Sequence, residues 1–279
     1  NSISIPSSIE SIDDNTFQNC SCLTNVDIPD SVKSIGEFAF SGCSSLVNIK
    51  IPSSVTIVKP FAFSKCVKLD SIDIPSSITT IDNFTFDGCL ALKKISIPAS
   101  IKEIKEYAFQ ECSSLESVPI PSMTKIYKFT FNRCSSFKEI SIPDSVTEIE
   151  ENAFCNCSSL TKITIPQSVT KIGESAFREC SKVVEIIFYS EMKIISNNIF
   201  YCNSSLREIK LPKEVEIIGE YSFYGCKNLE MITIPPTVTI LKKSCFKGCS
   251  SLKTIEIPSS VKDIESESFS GCTSFVEIS

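Results

Sequence analysis

The chain has 279 residues, 42% of them hydrophobic and 22% charged, which is enough apolar material for a large core and excludes disorder by composition. A net charge of -6 argues against nucleic acid and against an anionic membrane surface as partners, because both reward a basic excess. Histidine is absent, which removes the commonest general base and the commonest metal ligand.

From the N terminus onward, phenylalanine recurs at positions 17, 40, 63, 86, 109, 131, 154, 177, 200, 223, 246 and 269. Every step is 23 residues except the 22 between Phe109 and Phe131. Proline recurs in phase at 6, 29, 52, 75, 98, 121, 143, 166, 212, 235 and 258, and Tyr189 fills the one gap. Such a period marks a stack of repeats, here twelve units, one for each phenylalanine. The unit from Ser158 to Cys180 shows the logic. Ile163 and Ile165 flank polar Thr164, which predicts a short strand with one buried face. Pro166 ends that ladder for want of an N–H. Val169 and Ile172 predict a second extended stretch, and Ala176-Phe177 a helical turn that drops Phe into the core. One unit cannot bury its own apolar row, whereas stacked units turn each row into an internal column. The expectation is one elongated solenoid domain over residues 1–279, with parallel strands about 4.8 Å apart.

Two units break the pattern. Unit six (Ile120-Pro121-Ser122-Met123) lacks one loop residue, read as a simple deletion. Unit nine carries Phe188-Tyr189 where others carry Ile-Pro, and its Cys202 comes one place early. Twelve of the fifteen cysteines are in phase: Cys20, Cys43, Cys66, Cys89, Cys112, Cys134, Cys157, Cys180, Cys202, Cys226, Cys249 and Cys272. A column of this kind is expected to hold buried thiols acting as small hydrophobes. Cys22, Cys155 and Cys245 fall outside it, and Cys22 is the candidate reactive thiol.

The residues Leu-x-x-Ile-x-Ile-Pro, Ser-Val-x-x-Ile-Gly and Ala-Phe-x-x-Cys, seen almost as consensus from Ile28 to Cys43, resemble the BspA-like leucine-rich repeats. The resemblance spans Ile3 to Ile278. It implies a curved, right-handed leucine-rich-repeat solenoid with its parallel sheet on the concave face. It also implies kinship with surface proteins of bacteria and parasitic protists, some of them adhesins for matrix proteins such as fibronectin or fibrinogen. The family has no shared catalytic residues, so none are carried over.

No Gly-rich phosphate loop is present, and the abundant serines have no histidine base. Glu150-Glu151 reads as a solvated turn, and the sequons at Asn19, Asn83, Asn156 and Asn203 occur at chance frequency. No enzyme activity, cofactor or metal is expected. The outward strand positions, such as Thr161, Lys162 and Thr164, mix charge signs and give no single field. The departure lies where unit eight meets unit nine, at Val183-Val184-Glu185-Ile186-Ile187-Phe188-Tyr189. Val184, Ile187 and Tyr189, with Arg207 and Met231 on the next two strands, form a candidate partner-binding patch of the composition enriched at interfaces. No apolar run is long enough to insert this segment into a membrane. The function expected is a protein-binding, adhesive module at a cell surface or outside the cell, part of a longer protein. Alternatives are a cytoplasmic interaction scaffold and a surface layer that self-associates through uncapped ends.

Overall fold

The computed structural model describes residues 1–278. It divides into two compact units, Asn1–Phe137 and Lys138–Ser279. Each is a parallel β-solenoid whose coils follow the 23-residue period.

Most coils begin with a short strand, the exceptions being the coils at residues 116–120 and 138–142. In the first unit Ser2–Ser4, Asn25–Asp27, Asn48–Ile49, Ser71–Asp73 and Lys94–Ser96 form one parallel sheet. Its register pairs like with like, Ile3 with Val26 and Ile72 with Ile95. Side chains alternate as the two-residue period requires: Val26 is buried between exposed Asn25 and Asp27. The proline then starts a tight turn in which the Val32 amide donates to the Pro29 carbonyl at 3.1 Å. A second two-residue strand follows, as at Ser11–Ile12, Ser34–Ile35 and Ile57–Val58, again paired in parallel. Between the strands a hydroxyl joins neighbouring coils. Ser54 Oγ donates to the Val32 carbonyl at 2.8 Å, and Ser100 Oγ to that of Ile78 at 2.9 Å.

The second unit repeats this plan. Lys162–Ile165 pairs with Glu185–Phe188, and Glu208–Lys210, Met231–Thr233, Thr254–Ile255 and Glu277–Ile278 form a second ladder. The second strands include the row Ile194–Ile195, Ile217–Ile218, Ile240–Leu241 and Asp263–Ile264.

The third side of each coil departs from expectation: the Ala-Phe segment forms consecutive turns, not a helical turn. The residues two before and two after each phenylalanine have positive φ, as at Asn15 (61°) and Asn19 (60°) around Phe17. Alternate amides then serve different partners. Asn15, Phe17 and Asn19 N–H groups donate to the carbonyls of Glu37, Ala39 and Ser41 on the next coil at 2.7–2.8 Å. Thr16, Gln18 and Cys20 N–H groups close turns onto residues three back. A helix would keep all of these bonds inside the coil and leave the stack unjoined.

The phenylalanines fill the core as expected. Phe40, Phe63, Phe86 and Phe109 are buried and stack with centroids 5.5–5.7 Å apart. Each contributes about 1.5–3 kcal/mol by burial. In unit nine of the repeat Phe188 takes the Ile place and meets Phe200 edge-on at 6.3 Å. The Phe177–Phe200 spacing opens to 6.3 Å there, and the Phe200–Phe223 pair tilts by 32°.

The cysteine column has a reason beyond packing. Cys43 Sγ donates to the Phe17 carbonyl at 3.2 Å, and Cys66, Cys89, Cys112, Cys180 and Cys249 repeat the contact at 3.2–3.3 Å. One assignment is corrected: Cys202 is not in the column. Asn203 stands three residues after Phe200, in the cysteine place, and is fully buried. Cys202 instead takes the left-handed position (φ 57°), half-buried. The off-column Cys155 and Cys245 are buried, while Cys20 and Cys22 are exposed.

Candidate functional site

The outer face of the first strands in the second unit carries the residues singled out by sequence. Their positions follow from register. Lys162 lies beside Glu185, Thr164 beside Ile187, and Glu208 beside Met231. Two pairs of charges on the face meet between coils: Lys162 meets Glu185 at 2.9 Å and Lys253 meets Glu230 at 3.0 Å. The Lys253 hydrogen bond, aided by the charge of Arg207, holds the Glu230 carboxyl below its ordinary value.

Among these pairs stand apolar side chains with no charge to answer. Val184 is 53% exposed, Tyr189 64% and Met231 53%, and Ile187 is half-buried. The five predicted residues share a face but not a single spot. Val184 immediately precedes the strand Glu185–Phe188, with its amide bonded to the Thr161 carbonyl at 2.9 Å. Tyr189 follows the same strand five residues on, roughly 16 Å away at about 3.3 Å per residue. Arg207 and Met231 belong to the neighbouring ladder, where the Arg207 carbonyl accepts the amides of Glu230 and Met231. The structure therefore groups Val184, Arg207 and Met231 toward the strand starts, and sets Tyr189 apart at the strand end.

Tyr189 walls a depression of about 550 Å³. Buried Ile142 and Pro166 form part of its floor, and Asp144, Gln167 and Ser141 its rim. Sequence reasoning did not connect Asp144 with Tyr189. The two are 45 positions apart, in units seven and nine of the repeat, and only stacking brings them to one hollow.

Two aromatic arrays were also missed. In the first unit Phe38, Phe61, Phe84, Tyr107 and Phe129 stack at 4.3–4.7 Å, half-buried, on the left-handed position before the core phenylalanines. Their spacing of 23 and 22 was visible, but overshadowed by the stricter column two residues on. In the second unit the Arg178 guanidinium lies 4.1 Å over Tyr201, which stacks on Tyr224 at 4.7 Å. Sequon Asn203 is enclosed, so its amide is out of reach of a modifying enzyme.

Among the described residues no group of three or more Cys, Asp or Glu side chains is placed to hold a metal ion. No helix among them is long and apolar enough to cross a membrane.

A short repeat of two parallel strands and a turn, closed by a phenylalanine and a cysteine, defines a leucine-rich-repeat solenoid. More narrowly, the chain belongs to the family of the BspA type leucine rich repeat region, which it matches in six copies over residues 1–116, 102–207 and 193–279. A leucine-rich repeat protein from Bacteroides ovatus is 35% identical, with a TM-score of 0.87 over 100% of this chain and 78% of that one. A leucine rich cell surface protein from Faecalibacterium prausnitzii is 28% identical (TM-score 0.63, 100% of this chain, 78% of that one). A leucine-rich repeat protein from Eubacterium ventriosum is 25% identical (TM-score 0.69, 97% and 82%). No curated protein matches the chain. Leucine-rich repeats are in general protein-interaction modules and typically non-catalytic.

Proposed function

We propose that this chain is an adhesive protein-binding module displayed at a cell surface, and that it grips its partner through the strand face around Val184, Ile187, Tyr189, Arg207 and Met231. The observation that carries the reading is the exposure of Val184, Tyr189 and Met231 beside the inter-coil ion pairs Lys162–Glu185 and Lys253–Glu230. Exposed apolar and aromatic groups ringed by polar ones are the usual make-up of interface hot spots. The surface location draws support from the Faecalibacterium relative, a cell surface protein by its description. Because the 23-residue period runs on from residue 1 to the C terminus, we take residues 1–279 to work as one repeat domain.

The test uses immobilised fibronectin and fibrinogen as probes. Val184→Ser combined with Met231→Thr is expected to cut capture by about tenfold or more. Undiminished capture with unchanged circular dichroism refutes the patch, and absence of capture by the unaltered chain refutes the matrix-adhesin reading. A second reading, an intracellular scaffold, has one observation in its favour. The cysteine column donates S–H bonds, which requires reduced thiols, and a reducing compartment supplies them.

A further inference from the structure

Hollows at the strand ends recur in this fold, and comparing two of them isolates what is special about the one beside Tyr189. In the first unit a hollow is lined by Asp30, Lys50 and Asp73, together with Ile51, Pro52 and Pro75. Its lining holds a cation, Lys50, as well as two carboxylates. In the second unit Asp144, like Asp30, follows the proline of the first of three coils, and in that register the position of Lys50 is taken by Thr164 and that of Asp73 by Ile187. The carboxylate is kept, at Asp144, but the internal cation is gone. In its place the hollow gains an aromatic wall, because Tyr189 replaces the proline that other units carry there.

Asp144 has no ionic or hydrogen-bond partner among the described residues. Tyr189 is 64% exposed and has no cation on its ring, whereas Tyr201 already carries Arg178. The lysine of the neighbouring strand start, Lys162, is committed to Glu185. An open carboxylate beside an open π-face, above an apolar floor of Ile142 and Pro166, answers one chemistry: a planar cation. A guanidinium stacks on the ring while its fork of N–H groups meets the carboxylate, and its methylene stem covers the floor.

We propose that the Asp144–Tyr189 hollow is a pocket for an arginine side chain presented by the protein partner. The proposal rests on the strand face being the binding face and names what that partner must offer. Asp144 supplies charge, Tyr189 the stacking surface, and Gln167 and Ser141 polar contacts at the rim. A lysine would keep the charge but lose the planar fit.

The experiment titrates the full chain with N-acetyl-arginine amide, and with N-acetyl-citrulline amide as the neutral isostere, following the Tyr189 ring and Ile142 methyl signals by NMR. The expected result is a saturable shift of these signals with arginine and at least tenfold weaker binding of citrulline. Asp144→Asn and Tyr189→Leu are each expected to weaken arginine about tenfold, with all other signals in place. Equal binding of both amides, or arginine binding untouched by Asp144→Asn, overturns the proposal. So does the lack of any saturable shift. None of those outcomes touches the patch at Val184 and Met231. Conversely, arginine binding that survives Val184→Ser with Met231→Thr, while matrix-protein capture was never present, sinks the adhesin reading and leaves the pocket standing.

Discussion

Restoring cysteine at position 203 should stabilise the protein. Asn203 occupies the cysteine place in full burial, and its Nδ2 has no hydrogen-bond partner. A buried donor left unpaired costs about 1–3 kcal/mol. Its Oδ1 does accept the Cys180 amide at 2.9 Å, and Asn203→Cys forfeits that bond, worth about 1 kcal/mol. The loss is recoverable, since the equivalent amide of Cys43 bonds to the carbonyl three residues earlier at 3.1 Å. The new thiol would also reach the Phe177 carbonyl as Cys226 reaches that of Phe200 at 3.3 Å. The balance is a gain of about 1–2 kcal/mol, or roughly 2–8 °C in Tm for a chain of this size. Calorimetry on the wild type, Asn203→Cys and Asn203→Ala decides it. The cysteine variant should melt above the wild type and the alanine variant, which leaves a void, below the cysteine variant. A cysteine variant that melts below the wild type refutes the reasoning, because it would mean that the amide nitrogen contributes stability.

Three further outcomes follow from other features. Brief treatment with iodoacetamide should modify Cys20 and Cys22 first and Cys202 slowly, with the buried column reacting only after denaturation; peptide mass spectrometry reads the order. Burial pushes the Cys43 thiol up to about 11 and Cys245 to about 12, from an ordinary 9.0. The folded state thus favours the neutral thiol, so this stability is complete below pH 9 and drains away as pH rises through 9 toward 11 and 12; urea midpoints across that range should fall. In the outer aromatic ladder, Phe84 sits at φ 56° between Phe61 and Tyr107. Phe84→Ala should cost about 1–3 kcal/mol of stacking, and Phe84→Gly should be the milder change by about 1 kcal/mol because glycine accepts that backbone freely. A glycine variant that melts below the alanine variant would contradict this.

What could be read from sequence was whatever repeats. The isoleucine pair around Thr164, the proline stop and the phenylalanine column each have a fixed side-chain consequence once stacked, so strands and core followed directly. The Ala-Phe turn did not, because its form is set by amides bonding to the next coil, an influence that local propensity does not register. The displaced cysteine misled for a similar reason. Cys202 has the right chemistry, but the column is defined by distance from Phe200, which gives the place to Asn203. At the site, exposure of Val184 and Met231 was legible from two-residue alternation. The hollow joining Tyr189 to Asp144 was not, since it depends on which missing lysine leaves room, a fact visible only by overlaying one coil on another.

The alternating amides of the phenylalanine turns give each stack a direction. In the second unit Asn152, Phe154 and Asn156 point their N–H groups at the carbonyls of Glu174, Ala176 and Arg178, and the same sense holds through Gly248 and Ser270. Peptide dipoles along that edge add rather than cancel, as they do along a helix axis. Along that edge one side of a coil therefore shows a row of donors and the other a row of acceptors, whereas on the strand sides amides run both ways, Lys33 donating to Glu10 behind it and Ile5 to Asp27 ahead. A body that extends such a stack fits only in one sense, donor row to acceptor row, so growth by whole repeats is permitted anywhere whereas inverting a single repeat is forbidden everywhere.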